Sequence, residues 1–390
     1  MADIYLDNSA TTCPCPSAVR EAERCLENYG NPSSLHKMGT LAKTMKDRAK
    51  DQLCRALGIK SIPFPTHEIV FTSCGTESNN MALWGVLNAK NYKFLPRIVT
   101  TDSEHPSILA VLSRMESEGR AETVRLSTKG GVIDKDELLN AVNERTILVS
   151  IMLVNNETGA VYPVKELFAA AKAKKADIIT HSDMTQGFLK LKLAGGYAST
   201  GADLITVSGH KVHAPKGVGA LAIHQSLIKS KRIVSLMQGG GQERDLRSGT
   251  ENMMGICAFG GACEEGLAQL DAGIQKMQEL SELIVSRIST QIKVNLPERR
   301  APHILSLTLP GIKSQTMLNH LSSKGIYISS GSACSSHGGH KSYVLTSFGL
   351  TPERADCTVR VSLSRYTCRE EVQEFIQSIN RACEQLVRMG

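Results

Sequence analysis

Four short stretches of this sequence carry side chains that could do chemistry together. Lys211 closes Thr206-Val207-Ser208-Gly209-His210-Lys211, where an apolar run gives way to small and hydroxyl residues. An amine in such a place, once partly desolvated, can condense with a carbonyl as a Schiff base. A solvated surface lysine fits the same letters. Asp183 ends the apolar run Ile178-Ile179-Thr180-His181-Ser182-Asp183. A carboxylate at the end of a buried strand needs a cationic partner, and a protonated pyridine nitrogen is one. Ser73-Cys74-Gly75-Thr76 joins an apolar strand pattern to a helical one. A glycine turn there points backbone N–H groups, a Thr hydroxyl and the positive helix end at one spot, which suits an anion. An ordinary capped turn is the plain alternative. It has neither a Walker lysine nor a dinucleotide fingerprint. Finally, Cys334 lies in Ser329-Ser330-Gly331-Ser332-Ala333-Cys334-Ser335-Ser336-His337-Gly338-Gly339. Small residues leave that thiol accessible, unlike Cys54, Cys257 and Cys383, which sit inside helical patterns as small hydrophobes.

These residues need a scaffold that brings strand ends together. Strand patterns fall at 68–72, 97–101, 146–154, 177–181, 204–208 and 219–223, with amphipathic segments such as 138–142 and 164–174 between them. Alternation of this kind predicts a mostly parallel sheet with helices on its faces and ligands at the carboxyl ends of the strands. Beyond Gly239-Gly240-Gly241 the pattern changes. One apolar stripe from Leu267 to Ile284 predicts a single long helix over about 262–291. Strand patterns at 306–309, 326–329 and 359–363 and a helix at 315–324 then suggest a separate α+β lobe.

Composition narrows the class. The chain has 390 residues, 41% hydrophobic and 21% charged, with a formal charge of +7. Its basic residues are scattered among acids, and its single Trp offers no stacking platform, so no nucleic-acid partner is expected. The eleven cysteines include no C-x-x-C pair and no zinc-finger spacing, so no metal is expected and the thiols suit a reducing compartment. The opening residues lack a leader pattern and no apolar run reaches membrane-spanning length, so the expected address is the cytoplasm, away from any membrane.

The collinear segments Tyr5-Leu6-Asp7-Asn8, Asn31-Pro32-Ser33-Ser34-Leu35-His36, Thr72-Ser73-Cys74-Gly75-Thr76-Glu77-Ser78-Asn79-Asn80, Glu104-His105-Pro106, Asn155-Asn156-Glu157-Thr158-Gly159, Ser208-Gly209-His210-Lys211, Arg247-Ser248-Gly249-Thr250-Glu251-Asn252 and the Cys334 loop resemble the cysteine desulfurases of the NifS/IscS type. These are class V, fold-type I enzymes dependent on pyridoxal 5'-phosphate (PLP). The resemblance implies an α/β fold with a mostly parallel seven-stranded sheet in a large domain at 16–262. It also implies a smaller α+β domain from 1–15 and 263–390, which carries a mobile catalytic loop at about 329–342.

By that resemblance, Lys211 holds PLP as a Schiff base and moves the substrate proton. Asp183 pairs with the pyridine nitrogen, Gln186 bonds the phenolate oxygen and His105 stacks on the ring. Gly75, Thr76, Ser208 and His210 hold the phosphate. Thr250 reaches it from the neighbouring subunit of a homodimer. Arg360 grips the substrate carboxylate, with Asn156 beside it. A structural ion pair is the other reading for Arg360, since a buried guanidinium needs a counter-charge. The implied reaction turns L-cysteine into alanine and leaves a persulfide on Cys334, with His337 or Lys341 able to lower its pKa. The implied sulfur acceptor is an iron–sulfur scaffold protein. Selenocysteine lyase and sulfur donation for tRNA thiolation are the alternatives. Met184, Ser9 and Ser248 depart from the family pattern, and Met184 is expected to alter packing beneath the ring.

Overall fold

The computed structural model describes residues 3–60, 65–331 and 342–386. Its strands are β1 (Ile4–Tyr5), β2 (His67–Thr72), β3 (Arg97–Thr101), β4 (Glu122–Leu126), β5 (Thr146–Ser150), β6 (Ile179–Asp183), β7 (Leu204–Ser208), β8 (Gly219–His224), β9 (Lys293–Val294), β10 (Ile304–Thr308), β11 (Ile326–Tyr327) and β12 (Thr358–Ser362). Strands β2 to β8 form one seven-stranded sheet in the order β2-β8-β7-β6-β5-β3-β4. From β7 across to β4 the neighbours pair in parallel, and β8 runs against both β7 and β2. Since β8 reverses twice, β2 points the same way as β7. The carboxyl ends of β2, β3, β5, β6 and β7 therefore meet at one edge of the sheet.

Both faces of this sheet are covered, which is why its strands read as apolar runs. Successive residues feed opposite faces: Ile69, Phe71, Val99, Val149, Ile205 and Val207 enter one apolar cluster, while Val70, Ile98, Leu148, Ile179 and Leu204 enter another. A third cluster joins Ile4 and Leu6 to Leu280, Ile284, Leu307, Val361 and Phe375. It covers the three-stranded sheet β12-β10-β9 and the parallel pair of β1 with β11. Among the described residues no helix is long and apolar enough to cross a membrane.

Several local expectations change, among them the strand expected over 146–154, which ends at Ser150. The single helix over about 262–291 is two helices, Met253–Ala268 and Leu270–Arg287, broken at Gln269 (φ −102°, ψ 9°). The first buries Phe259, Ala262 and Cys263 in the sheet's core, and the second turns Leu280 and Ile284 into the third cluster. No proline marks the bend, and the apolar stripe runs through it, so periodicity alone does not see it. Strand β4 has no counterpart among the expected strands. It lies at the sheet edge, where partly exposed Glu122 and Arg125 break the apolar run. Strand β6 begins two residues later than expected, because Ile178 still bonds back to Lys175, and so it ends on Asp183.

Candidate active site

The converging strand ends enclose a cavity of about 240 Å³. Each loop delivers a small set. Cys74, Gly75, Thr76 and Asn79 follow β2, His105 and Ser107 follow β3, and Met152, Val154 and Asn156 follow β5. Asp183, Thr185 and Gln186 lie at the end of β6, and Ser208, His210 and Lys211 at the end of β7. Ser9, Ala10 and Arg360 close the cavity from the amino terminus and β12. Asp183 is the one carboxylate lining it among the described residues, against the basic side chains of Lys211 and Arg360. That balance suits an anionic ligand.

The helix Gly75–Leu87 starts at the floor with no side-chain cap from Cys74. The turn lies tight against β8, where a Cβ on Gly219 would stand 2.7 Å from the Cys74 carbonyl carbon. At Gly75 a Cβ would come within 3.3 Å of Thr185 Oγ1 and 3.4 Å of Ser208 Cβ, crowding the cradle. The hydroxyls of Ser208, Thr185 and Ser9 are buried here with no hydrogen-bond partner, and so is Asn156 Oδ1. Buried polar groups cost free energy unless satisfied, so these orphans call for a polar ligand.

Lys211 Nζ donates to Ser9 O (2.5 Å) and Ala10 O (2.6 Å). Asp183 Oδ1 accepts from Thr185 N (2.9 Å) and Oδ2 from Asn79 Nδ2 (2.8 Å). The same Asn79 amide donates to Ser107 Oγ (2.8 Å), which lies 2.8 Å from His105 Nδ1. Ser107 N also donates to that nitrogen (3.2 Å). Because Nδ1 accepts from the Ser107 backbone N–H, the neutral ring carries its proton on Nε2. Burial pushes His105 below the usual histidine range, with Asp183 opposing and Lys211 assisting, so the ring is neutral at pH 7. Burial and then Lys211 bring His210 down to about 4.

Losing the Ser107 hydroxyl removes a hydrogen-bond partner of His105 Nδ1 and leaves only the backbone N–H there. Ser107→Ala is expected to lower kcat by about 10-fold, the value of one buried hydrogen bond. The acid limb of the pH–rate profile moves to higher pH, because the neutral ring loses that partner. Turnover measured from pH 5 to 9 checks both.

Glu104, beside His105, is fully buried. Its Oε1 accepts from Thr101 Oγ1 and Met152 N, both at 2.9 Å, and its Oε2 has no partner. Burial pushes its pKa up to about 8. The folded protein therefore holds a proton that the unfolded chain has already lost, and stability falls as pH climbs from about 4.5 to about 8. Glu104→Gln is expected to match wild type near pH 5 and to gain on the order of 2 kcal/mol at pH 9. Melting curves at both pH values test this, and parallel curves for the two proteins would refute it.

The structure thus brings Gly75, Thr76, His105, Asn156, Asp183, Gln186, Ser208, His210, Lys211 and Arg360 to one cavity. Arg360 is also in an ion pair, Nη2 to Asp7 Oδ1 at 2.8 Å, while Nη1 donates to Asn156 O at 2.9 Å. Both readings of that residue hold together. Thr250 is exposed in a separate depression beside Ser73 and Arg247 and does not line its own chain's cavity. Met184 is fully buried in the sheet's core, next to Asp183, and does not itself line the cavity. Cys334, His337 and Lys341 lie outside the described residues. Asn79, Ser107 and Thr185 were not picked out as site residues. Asn79 carried the readable signal, a side-chain amide on the apolar face of a helix.

Residues 4–375 match the family described as Aminotransferase class-V. The chain belongs to that family. Among class-V relatives, "Cysteine desulfurase IscS" of Dictyoglomus turgidum is 36% identical over 98% of this chain and 95% of its own length. "Cysteine desulfurase IscS" of Methanosarcina thermophila is 35% identical over 99% and 93%. The solved "NIFS-LIKE PROTEIN" superposes with a TM-score of 0.90 at 33% identity, covering 98% of this chain and all of that one. Another structure, "SspA in complex with cysteine", gives 0.78 at 29% identity over 93% and 99%. The class-V fold is the fold-type I architecture, and its coenzyme is PLP. The cavity fits that molecule on its own evidence: unpartnered hydroxyls at an open helix start, an acid at the end of β6 and an amine at the end of β7.

Proposed function

We infer that the protein is a PLP-dependent cysteine desulfurase, converting L-cysteine to L-alanine and holding the sulfur as a persulfide on Cys334. The observation that carries this reading is one cavity joining Lys211, Asp183 and the orphaned Ser208 and Thr185 hydroxyls. The relatives' names support the substrate.

Gly75, Thr76, Ser208 and His210 would hold the phosphate, Asp183 the pyridine nitrogen, and Gln186 and Asn156 the ring oxygen. PLP supplies a carbonyl and an electron sink at the substrate α-carbon. Lys211 Nζ takes the proton from that carbon. Arg360, steadied by Asp7, orients the carboxylate. His105 would stack on the ring and, neutral with a proton on Nε2, offers that N–H as a hydrogen-bond donor within the cavity. The Cys334 thiolate attacks the substrate sulfur and the Cβ–S bond breaks. A proton goes to Cβ, so alanine leaves and one sulfur stays on the enzyme. No external oxidant or reductant is consumed.

Thr250 belongs to this scheme as the residue a second copy presents to the phosphate. Its exposure outside its own chain's cavity supports a homodimer with shared sites. The apolar clusters support a large domain at 16–262 and a small one from 1–15 and 263–390. The acceptor is an iron–sulfur scaffold protein, in the cytoplasm.

The direct experiment loads the protein with PLP, adds L-cysteine, measures alanine, and weighs the Cys334 peptide. One added sulfur atom on that peptide with alanine released is the expected result. Alanine without sulfur on Cys334, or sulfur on the Cys74 peptide instead, overturns the assignment.

A further inference from the structure

Lys190 is a buried amine that the chemistry above leaves without a task. It sits in the turn-rich segment after β6, only 8% exposed, and its Nζ donates to Gln186 Oε1 at 3.0 Å. Gln186, 5% exposed, lines the large cavity, and Lys190 does not. Lys190 instead lines a second cavity of about 20 Å³, shared with Lys211 and Arg365. It therefore stands behind Gln186, on the side away from the large cavity.

Its surroundings are cationic. Burial pushes the Lys190 pKa well down, and Lys211 and Arg360 push it further. His303, His213 and His210 also feel its charge. The nearby acids are engaged elsewhere, Asp7 on Arg360 and Glu265 on Arg365. A long side chain gives up much conformational freedom to be buried, and an amine among cations adds an electrostatic cost. Its side-chain hydrogen bond goes to the Gln186 carbonyl oxygen.

That contact decides which end of the Gln186 amide faces where. Gln186 Nε2 donates to Ser9 O at 2.9 Å, the same oxygen that accepts from Lys211. A flipped amide would set oxygen against the Ser9 carbonyl and lose the Lys190 bond. A primary amide has two N–H donors, and Ser9 takes one. We propose that Lys190 is a positioning residue: by donating to Gln186 Oε1 it locks the amide so that its second N–H serves an anionic oxygen of a ligand in the large cavity. The inference rests on the PLP reading, in which that oxygen is the ring phenolate.

Lys190→Met keeps the length and removes the donor. In PLP-loaded protein it is expected to weaken coenzyme binding by about tenfold, the value of a lost buried hydrogen bond. The visible absorbance maximum of the bound coenzyme, or its pH titration, should shift as well. Gln186→Ala should produce the same changes, and the double variant should be no worse than Gln186→Ala alone. Lys190→Gln, which restores a donor and guards against misfolding of the methionine variant, should recover most of the affinity and the spectrum. Unchanged affinity and spectrum in Lys190→Met, fully additive losses in the double variant, or a Lys190→Gln protein as impaired as Lys190→Met would each overturn the proposal while the coenzyme reading stands. A wild-type protein that takes up no PLP would instead remove the reading beneath it.

Discussion

Lys211→Ala is expected to leave the protein colourless after saturation with PLP and to lower alanine formation by at least about 10³-fold, toward the upper range for a positioned proton-transfer group. The reason is twofold. Lys211 lines the same cavity as Asp183, Gly75 and Thr76, and in the proposed function its amine bonds the coenzyme and then works at the substrate carbon. Lys190, the other amine nearby, cannot replace it, because it stands behind Gln186 and does not line the large cavity. The Ser9 and Ala10 carbonyls lose their ammonium donor in the variant, but Gln186 still donates to Ser9, so the fold should persist. Absorbance after dialysis against PLP, with a melting curve as control, decides it. A visible imine band in the variant would mean that another amine carries the coenzyme.

Cys334→Ser should do the opposite, keeping the coenzyme band and losing sulfur transfer by at least about 10³-fold, as removal of a covalent nucleophile does. Thiolates attack, thiols do not. Burial raises the pKa of Cys15, Cys25, Cys263 and Cys357, and takes Cys54 to about 11 and Cys257 to about 12. These side chains stay protonated at pH 7 and are packed in the core. Among the described residues Cys74 is the thiol that lines the cavity, half-buried at the start of the helix Gly75–Leu87. A Cys74→Ser variant is therefore the matched control and should retain most sulfur transfer. Full persulfide formation in Cys334→Ser would assign the nucleophile to Cys74.

Much of the site was legible before any coordinates because its chemistry is local to strand ends. The Lys211 and Asp183 stretches each mark a β-strand giving way to a loop, and in a parallel sheet such ends share one edge. The glycine turn before Glu77 was legible for the same reason. Helix and strand limits were less so. Strand β4 is an edge strand whose charges hide it, and the break at Gln269 lies inside an unbroken apolar stripe.

The amino-acid order by itself pointed to an α/β sheet and to Lys211, Asp183 and Cys334 as candidate amine, acid and thiol, because those follow from residue type next to a strand or loop signal, and the coenzyme followed from the resemblance of its collinear motifs to the NifS/IscS desulfurases. The folded chain alone decided how the side chains are oriented and held. The relay from Asp183 through Asn79 and Ser107 to His105 joins residues up to 104 positions apart. Arg360 and Asp7 meet across 353 positions, and Lys211 meets Ser9 across 202. No local propensity encodes such pairs. They arise when separate chain segments are buried together, where each polar group must find whatever partner the packing brings within reach.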